Sequence, residues 1–315
     1  MRRKISMAAV LLTILMTKVD TLMAQPAPLP QPLKVGYSIP VANISPENME
    51  YAKANGIDYL EVSFAAYIDS NRNFRFNDTV LSQKVKQAKS YAENAGIEIW
   101  SVHMPYGKNI DISLGQETDR EQVVLLHKKV LELCRLLEPK VILFHPSYYL
   151  GLNERELRKK QMIKSALELN EAVKKIGAIM VVENMLGPEL KKDAERERPL
   201  CRTVEETKEI MAQLPADIYS AVDMNHIKNP EFLIRAMGTR LKSVHIADGN
   251  GREENHYLPC SGKGENNWTE ILSALEAAQY KGPFIYESKI KDVNELKPCY
   301  DSLFKAFISD RYSSR

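Results

Sequence analysis

The segments AIMVVENM (178–185), IYSAVDMN (218–225), LKSVHIAD (241–248) and PFIYESK (283–289) decide the fold. In each, an apolar run of strand length leads to one polar side chain: Glu183, Asp223, His245 and Glu287. A continuous apolar run reads as a strand buried on both faces, as in a parallel sheet covered by helices. A carboxylate or imidazole at its end is expensive, because an unpaired buried charge costs on the order of several kcal/mol in lost hydration. Four such endings on separate strands point to a shared ionic partner, and one divalent metal ion would satisfy them all. Three carboxylates and one imidazole suit manganese, cobalt or magnesium and tolerate zinc, with no thiolate to select zinc.

Four more strand-like runs precede these: LKVGYSI (33–39), YLEVSF (59–64), IEIWSVHMP (97–105) and KVILFHPS (140–147). Between the runs lie stretches such as TVLSQKVKQAKSYAENAG, REQVVLLHKKVLELCRLLEP and ERELRKKQMIKSALELNEAVKKIG. Their apolar residues recur at three-and-four spacing, which predicts helices with one buried face. Gly56, Gly96, Gly177, Gly238 and Gly282 stand between helix and strand, where a left-handed cap is expected. Eight alternations of strand and helix predict an α/β chain forming a single (β/α)8 TIM barrel over residues 33–315. A doubly wound open sheet is the competing architecture. It expects a glycine-rich phosphate turn after the first strand, and VGYSIPVAN offers only Gly36. A barrel gathers its chemistry at the C-terminal ends of its strands, where this chain puts its polar residues.

His103 and His145 close the third and fourth runs, and His226 follows Asp223 by three. A lone histidine at a strand end is more often a hydrogen-bonded core residue than a ligand; convergence from several strands reverses that balance. His127 falls inside a helix and reads as structural or solvent-facing. Glu61, inside LEVSF, either contacts substrate or pairs with a lysine. Lys263 and Arg252 lie in polar loops, where a basic residue is usually just solvated. Trp100, Trp268, Tyr37, Phe64 and Tyr106 are candidate apolar platforms for a ligand's flat face, with core packing the duller role.

Arg2, Arg3 and Lys4 precede an apolar stretch from Met7 to Met16, and Ala24 precedes Gln25. That is the grammar of a secretory signal over 1–24, followed by a Pro-rich lead-in at 25–32. The stretch is too short to span a bilayer, and no nearby cysteine could carry a lipid, so export to a periplasm without a stable membrane anchor is expected. Cleavage turns the whole-chain charge of +2 into −1, with 39 basic and 40 acidic residues left. A balance without basic excess argues against nucleic acid as partner. The cysteines at 134, 201, 260 and 299 form no C-x-x-C pair, which excludes zinc-ribbon and thioredoxin readings. Cys134 follows a helical apolar rhythm and reads as core, while an oxidising compartment would permit the loop residues Cys201 and Cys260 to pair.

The motifs SVHMPY, LFHPS, VVEN, VDMNH, VHIAD, HYLPCSGKGENNW and IYES carry a family resemblance. The mature chain resembles the xylose-isomerase-like TIM barrels, which include sugar phosphate isomerases and epimerases and the related barrel-type apurinic-site endonucleases. The epimerase branch implies one metal held by Glu183, Asp223, His245 and Glu287, with both glutamates also handling protons. His226, His103, His145 and His256 are then expected around the substrate. The endonuclease branch implies a three-zinc cluster drawing on those same imidazoles. That branch expects Asp, a spacer and His in the loop after the seventh strand, where this chain has Glu254-Asn255-His256. The continuation LPCSGKGENNW is closer to the sugar branch, with Cys260 in place of the usual glycine. The resemblance thus implies a metal-dependent sugar isomerase or epimerase acting on a small carbohydrate. A hydrolase or lyase using metal-activated water and a non-catalytic sugar-binding barrel are the alternatives. Export favours free sugars, oligosaccharides or keto-sugars over phosphorylated ones.

Overall fold

The computed structural model describes residues 29–187 and 195–312. The expected leader, and the first part of the Pro-rich lead-in, lie outside the described residues. In chain order the strands are β1 (Val35–Pro40), β2 (Ile57–Ser63), β3 (Glu98–His103), β4 (Val141–Phe144), β5 (Leu150–Gly151), β6 (Ile179–Glu183), β7 (Arg196–Glu197), β8 (Ile218–Asp223), β9 (Leu241–Ile246) and β10 (Phe284–Tyr286). Eight of them close a parallel barrel in the order β1, β10, β9, β8, β6, β4, β3, β2. Closure is made where Val35 of β1 pairs with Phe284 of β10. This is a single (β/α)8 barrel. The remaining two, β5 and β7, form a small antiparallel ribbon above the barrel that the sequence periodicity did not announce.

The helices are α1 (Pro46–Ala54), α2 (Asp78–Asn94), α3 (Glu117–Cys134), α4 (Arg155–Lys175), α5 (Val204–Gln213), α6 (Pro230–Met237), α7 (Trp268–Ala277) and α8 (Leu296–Tyr312). Several start where the sequence provides an oxygen cap: Ser45, Asn77, Thr203 and Asn267 each accept from a backbone N–H in the first turn. Four of the five glycines expected at left-handed positions adopt them. Gly282 does not. Helix α7 ends earlier and Gln279 takes the left-handed turn (φ 56°), while a Cβ on Gly282 would lie 2.4 Å from Tyr280 Oη. Gly282 is there for close approach, not for backbone twist.

Period-two alternation sorts each strand into inward and outward positions. Val141, Leu143, Val181 and Ala221 form a small apolar plug apart from the main core, with Ile179 and Tyr219 against it. Two residues beyond Leu143, Val181 and Ala221 come His145, Glu183 and Asp223. The alternation that fills the barrel's middle with hydrocarbon therefore delivers the polar ends to its C-terminal mouth. The cysteine connectivity, which the sequence leaves open, is set in the structure: Cys260 is bonded to Cys299, across 39 residues, and Cys201 is a free, buried thiol. Cys201 is enclosed in the main core. Cys134 is buried as expected. His127 is not solvent-facing: it is buried in α3 with its ring 5.3 Å from that of Phe144, and burial pushes its pKa down to about 3.

Candidate active site

Glu183 ends β6, Asp223 ends β8, His245 lies in β9 and Glu287 follows β10 by one residue. The register that pairs Asp223 with His245 and Ile285 with His245 brings these neighbours level. One donor atom from each of the four lies within 4.8 Å of the others. His245 is the hub: its Nδ1 is 2.9 Å from Glu183 Oε1, 2.8 Å from Glu287 Oε2 and 3.9 Å from Asp223 Oδ2. Three of the four side chains are fully enclosed, and that of Glu287 is 28% exposed.

Two imidazole groupings flank this centre. On one side His145 Nε2 approaches Glu183 Oε2 at 3.1 Å and His103 Nε2 at 3.1 Å, while His103 Nδ1 donates to the carbonyl of Met104. On the other side His226 Nδ1 donates to the carbonyl of Asn184, and His256 Nδ1 to that of Glu287. Their Nε2 atoms both face Glu254 Oε2, at 3.2 and 3.0 Å. His103, His145 and Glu183 form one set of converging donors, and Asp223, His226 and His256 another. All eight residues singled out from the sequence thus meet at one end of the barrel.

The electrostatics are those of crowded, buried acids. Burial pushes Asp223 up to about 6, helped by Glu183 and Glu287 and opposed by His226 and His256. Burial also acts to raise Glu183 and Glu287, but His245, joined at Glu183 by His145, outweighs it, holding Glu183 well below the usual carboxylate range and Glu287 at about 2. The carboxylates in turn raise His245 and His226 well above an ordinary imidazole despite burial, and bring His256 to about 9. Among the described residues Asp223 Oδ2 is buried with no hydrogen-bond partner, its imidazole neighbours being His226 Nδ1 at 3.7 Å and His245 Nδ1 at 3.9 Å. A buried carboxylate oxygen without a donor is what a cation-binding site leaves behind. The donor set therefore fits a divalent ion.

A cavity of about 110 Å³ opens beside the centre, walled by Tyr106, Tyr148, Tyr149, His226, Glu254 and Glu287 among others. Of the aromatics raised from the sequence only Tyr106 belongs here, its ring 4.0 Å from that of His145. Trp268 is buried and donates to Asp248, Phe64 is core, and Trp100 lies at the opposite end of the barrel. Tyr148 and Tyr149 went unremarked because they follow the strand end by several residues, where no periodicity marks them. Lys263 stands over the Tyr257 ring, outside the cavity. Glu61 pairs with His245, not with a lysine. A larger cavity, about 520 Å³, lies at the other end of the barrel among Pro32, Trp100, Leu275 and Phe304, and among the described residues it has no such convergence of donors.

The family model for xylose isomerase-like TIM barrels matches residues 49–302. The chain belongs to that family. An uncharacterized protein of Methanocaldococcus jannaschii, MJ1614, is 24% identical over 266 residues, covering 78% of this chain and 97% of its own. Among solved structures, a D-tagatose 3-epimerase-like protein superposes with TM-score 0.70 at 20% identity, covering 88% of this chain and 99% of its own. An L-ribulose 3-epimerase gives 0.64 at 15% identity, over 90% and 97% of the two chains. The 3-keto-D-glucoside 4-epimerase YcjR of E. coli gives 0.62 at 17% identity, over 87% and 99%. At these identities the likeness establishes the xylose isomerase-like fold.

Proposed function

We propose that this protein is a metal-dependent sugar isomerase or epimerase that moves a proton on a carbon next to a polarised carbonyl. The observation that carries the reading is the meeting of Glu183, Asp223, His245 and Glu287 donors within 4.8 Å at the mouth of the barrel. These four would hold one divalent ion. When bound, such an ion supplies Lewis-acid polarisation of a sugar carbonyl and stabilises the charge that develops on its oxygen. The names of the structural neighbours, a D-tagatose 3-epimerase-like protein, an L-ribulose 3-epimerase and a 3-keto-D-glucoside 4-epimerase, support the same class.

Glu287 is the base best placed to meet substrate, since it alone of the four lines the cavity. Held at a low pKa by His245, it is ionised at neutral pH, the state that a proton acceptor requires. Glu183, on β6 with β9 and β8 between it and β10, is the second proton carrier. Two carriers acting from opposite sides of a carbon would epimerise it, whereas one carrier serving adjacent carbons would isomerise aldose to ketose. His226 and His256, steered by backbone carbonyls on Nδ1, direct Nε2 toward Glu254 and the cavity, where sugar hydroxyls would bind. Tyr106, Tyr148 and Tyr149 offer ring faces.

The substrate we propose is a single small, uncharged sugar. The cavity is below the few hundred Å³ typical of sites for larger ligands, and none of the described residues lining it is Lys or Arg. Export to an oxidising compartment is part of the proposal and is supported by the Cys260–Cys299 bond. Incubating metal-replete protein in heavy water with a panel of free and keto-sugars tests it: deuterium should enter one sugar carbon, while abasic duplex at physiological salt stays intact. Incision of the duplex without sugar exchange would overturn the proposal.

A second reading, a hydrolase using metal-activated water, is favoured by the two flanking donor sets around Glu183 and Asp223. Metal analysis separates the two. About one ion per chain supports the isomerase or epimerase, and about three supports the hydrolase.

A further inference from the structure

We infer that Glu61 is a positioning residue that orients His245 for metal binding, an assignment that rests on the metal centre proposed above. Glu61 lies in β2, on the far side of the barrel interior from the four-residue centre, and is fully buried. Its Oε2 accepts from Ser101 Oγ at 2.8 Å, a hydroxyl supplied by the adjacent β3. Its Oε1 stands 2.7 Å from His245 Nε2. The approach is a close charge pair lying off the N–H axis, since neither atom has an aligned hydrogen-bond partner.

A buried carboxylate without a cationic neighbour is strongly disfavoured, so its presence needs a reason. The described ion pairs give Glu61 only His245. His245 is thereby gripped at both nitrogens, Nδ1 facing Glu183 and Glu287 and Nε2 facing Glu61. An imidazole binds a cation through the lone pair of one nitrogen, which requires the proton to reside on the other. A negative carboxylate this close to Nε2 favours the proton on that nitrogen by charge, limits the ring's movement by contact and leaves Nδ1 the ligating atom. Ser101 serves the same end one step further out by restraining the carboxylate. The sequence alone leaves Glu61 undecided because its partner lies across the barrel, 184 positions away.

The test is titration of the metal-free protein with Mn²⁺ alone, read by calorimetry, beside thermal unfolding of the same samples. Glu61→Ala should weaken Mn²⁺ binding by about 10- to 100-fold. Glu61→Gln, which keeps an accepting oxygen without the charge, should fall between it and the wild type. Leu275→Ala, at the opposite end of the barrel, controls for destabilisation: its melting temperature should drop while Mn²⁺ affinity stays. Should Glu61→Ala not fold, the near-isosteric Glu61→Gln carries the measurement. Affinities within about threefold of wild type in the Glu61 variants, or an equal loss in Leu275→Ala, would overturn the assignment and leave the metal centre standing. A wild-type protein that binds no Mn²⁺ would overturn both.

Discussion

Replacing both Cys260 and Cys299 by serine tests how the loop above the barrel is held. The bond closes a 39-residue span, from the turn Pro259–Ser261 to the first turn of α8. Loop-closure entropy for that length is about 13 cal/mol/K, which corresponds to about 3.9 kcal/mol at 25 °C. Unfolding entropy of about 2.1 cal/mol/K per residue gives about 0.6 kcal/mol/K for a chain of this size. The double variant should therefore melt about 6–7 °C below the oxidised wild type, and reduced wild type should match the variant. Metal content should be unchanged, because Glu183, Asp223 and His245 sit on strands and Glu287 directly follows one. A calorimetric scan under non-reducing conditions, with peptide mapping of the bond, reads all of this. Melting within 1 °C of wild type, or a mapped bond to Cys201, would refute the reasoning.

Glu287→Gln should abolish proton exchange into sugar while leaving the melting temperature near wild type; residual activity within about tenfold would amount to only about 1.4 kcal/mol of barrier, too little for loss of the essential base. Metal uptake should strengthen as pH rises. Asp223, pushed up to about 6 by burial, must be ionised and His245, raised well above the usual imidazole, must release a proton before either can serve as ligand. Apparent affinity should thus fall by at least about tenfold per pH unit below about 6, and Mn²⁺ titrations giving one affinity from pH 5 to pH 8 would contradict this.

The barrel could be read in the sequence because strands buried on both faces write continuous apolar runs, and the polar residue breaking each run is conspicuous. KVILFHPS and PFIYESK were recognisable although the strands they contain, Val141–Phe144 and Phe284–Tyr286, are short. The same logic located the donors of the candidate site. Features made by long-range meeting were not legible. Two-residue strands such as Leu150–Gly151 have no periodicity to detect, and the partner of Cys260 is set by where α8 docks. Trp268 looked available to a sugar until Asp248 took its N–H. The left-handed turn before β10 fell on Gln279, where the helix ended, not on the glycine nearest the strand.

A buried ion-pair network and a metal centre make different demands on the same four side chains. In a network, every carboxylate oxygen should end on a donor, because an orphaned one costs its full desolvation. Here a single imidazole nitrogen, His245 Nδ1, faces Glu183, Glu287 and Asp223 together, and it has one proton to share among three acceptors. Of the three, His145 reaches only Glu183, and His226 cannot make up the deficit at Asp223 Oδ2, since its Nδ1 is committed to the Asn184 carbonyl and its Nε2 to Glu254. Asp223 Oδ2 is accordingly left without a donor among the described residues. A proton at that hub satisfies one or two carboxylates, whereas a dication has the charge and the coordination number to satisfy all three and the imidazole as well. The arrangement is a poor salt bridge and a good ligand set, and that difference favours a metal centre over a structural cluster of charges.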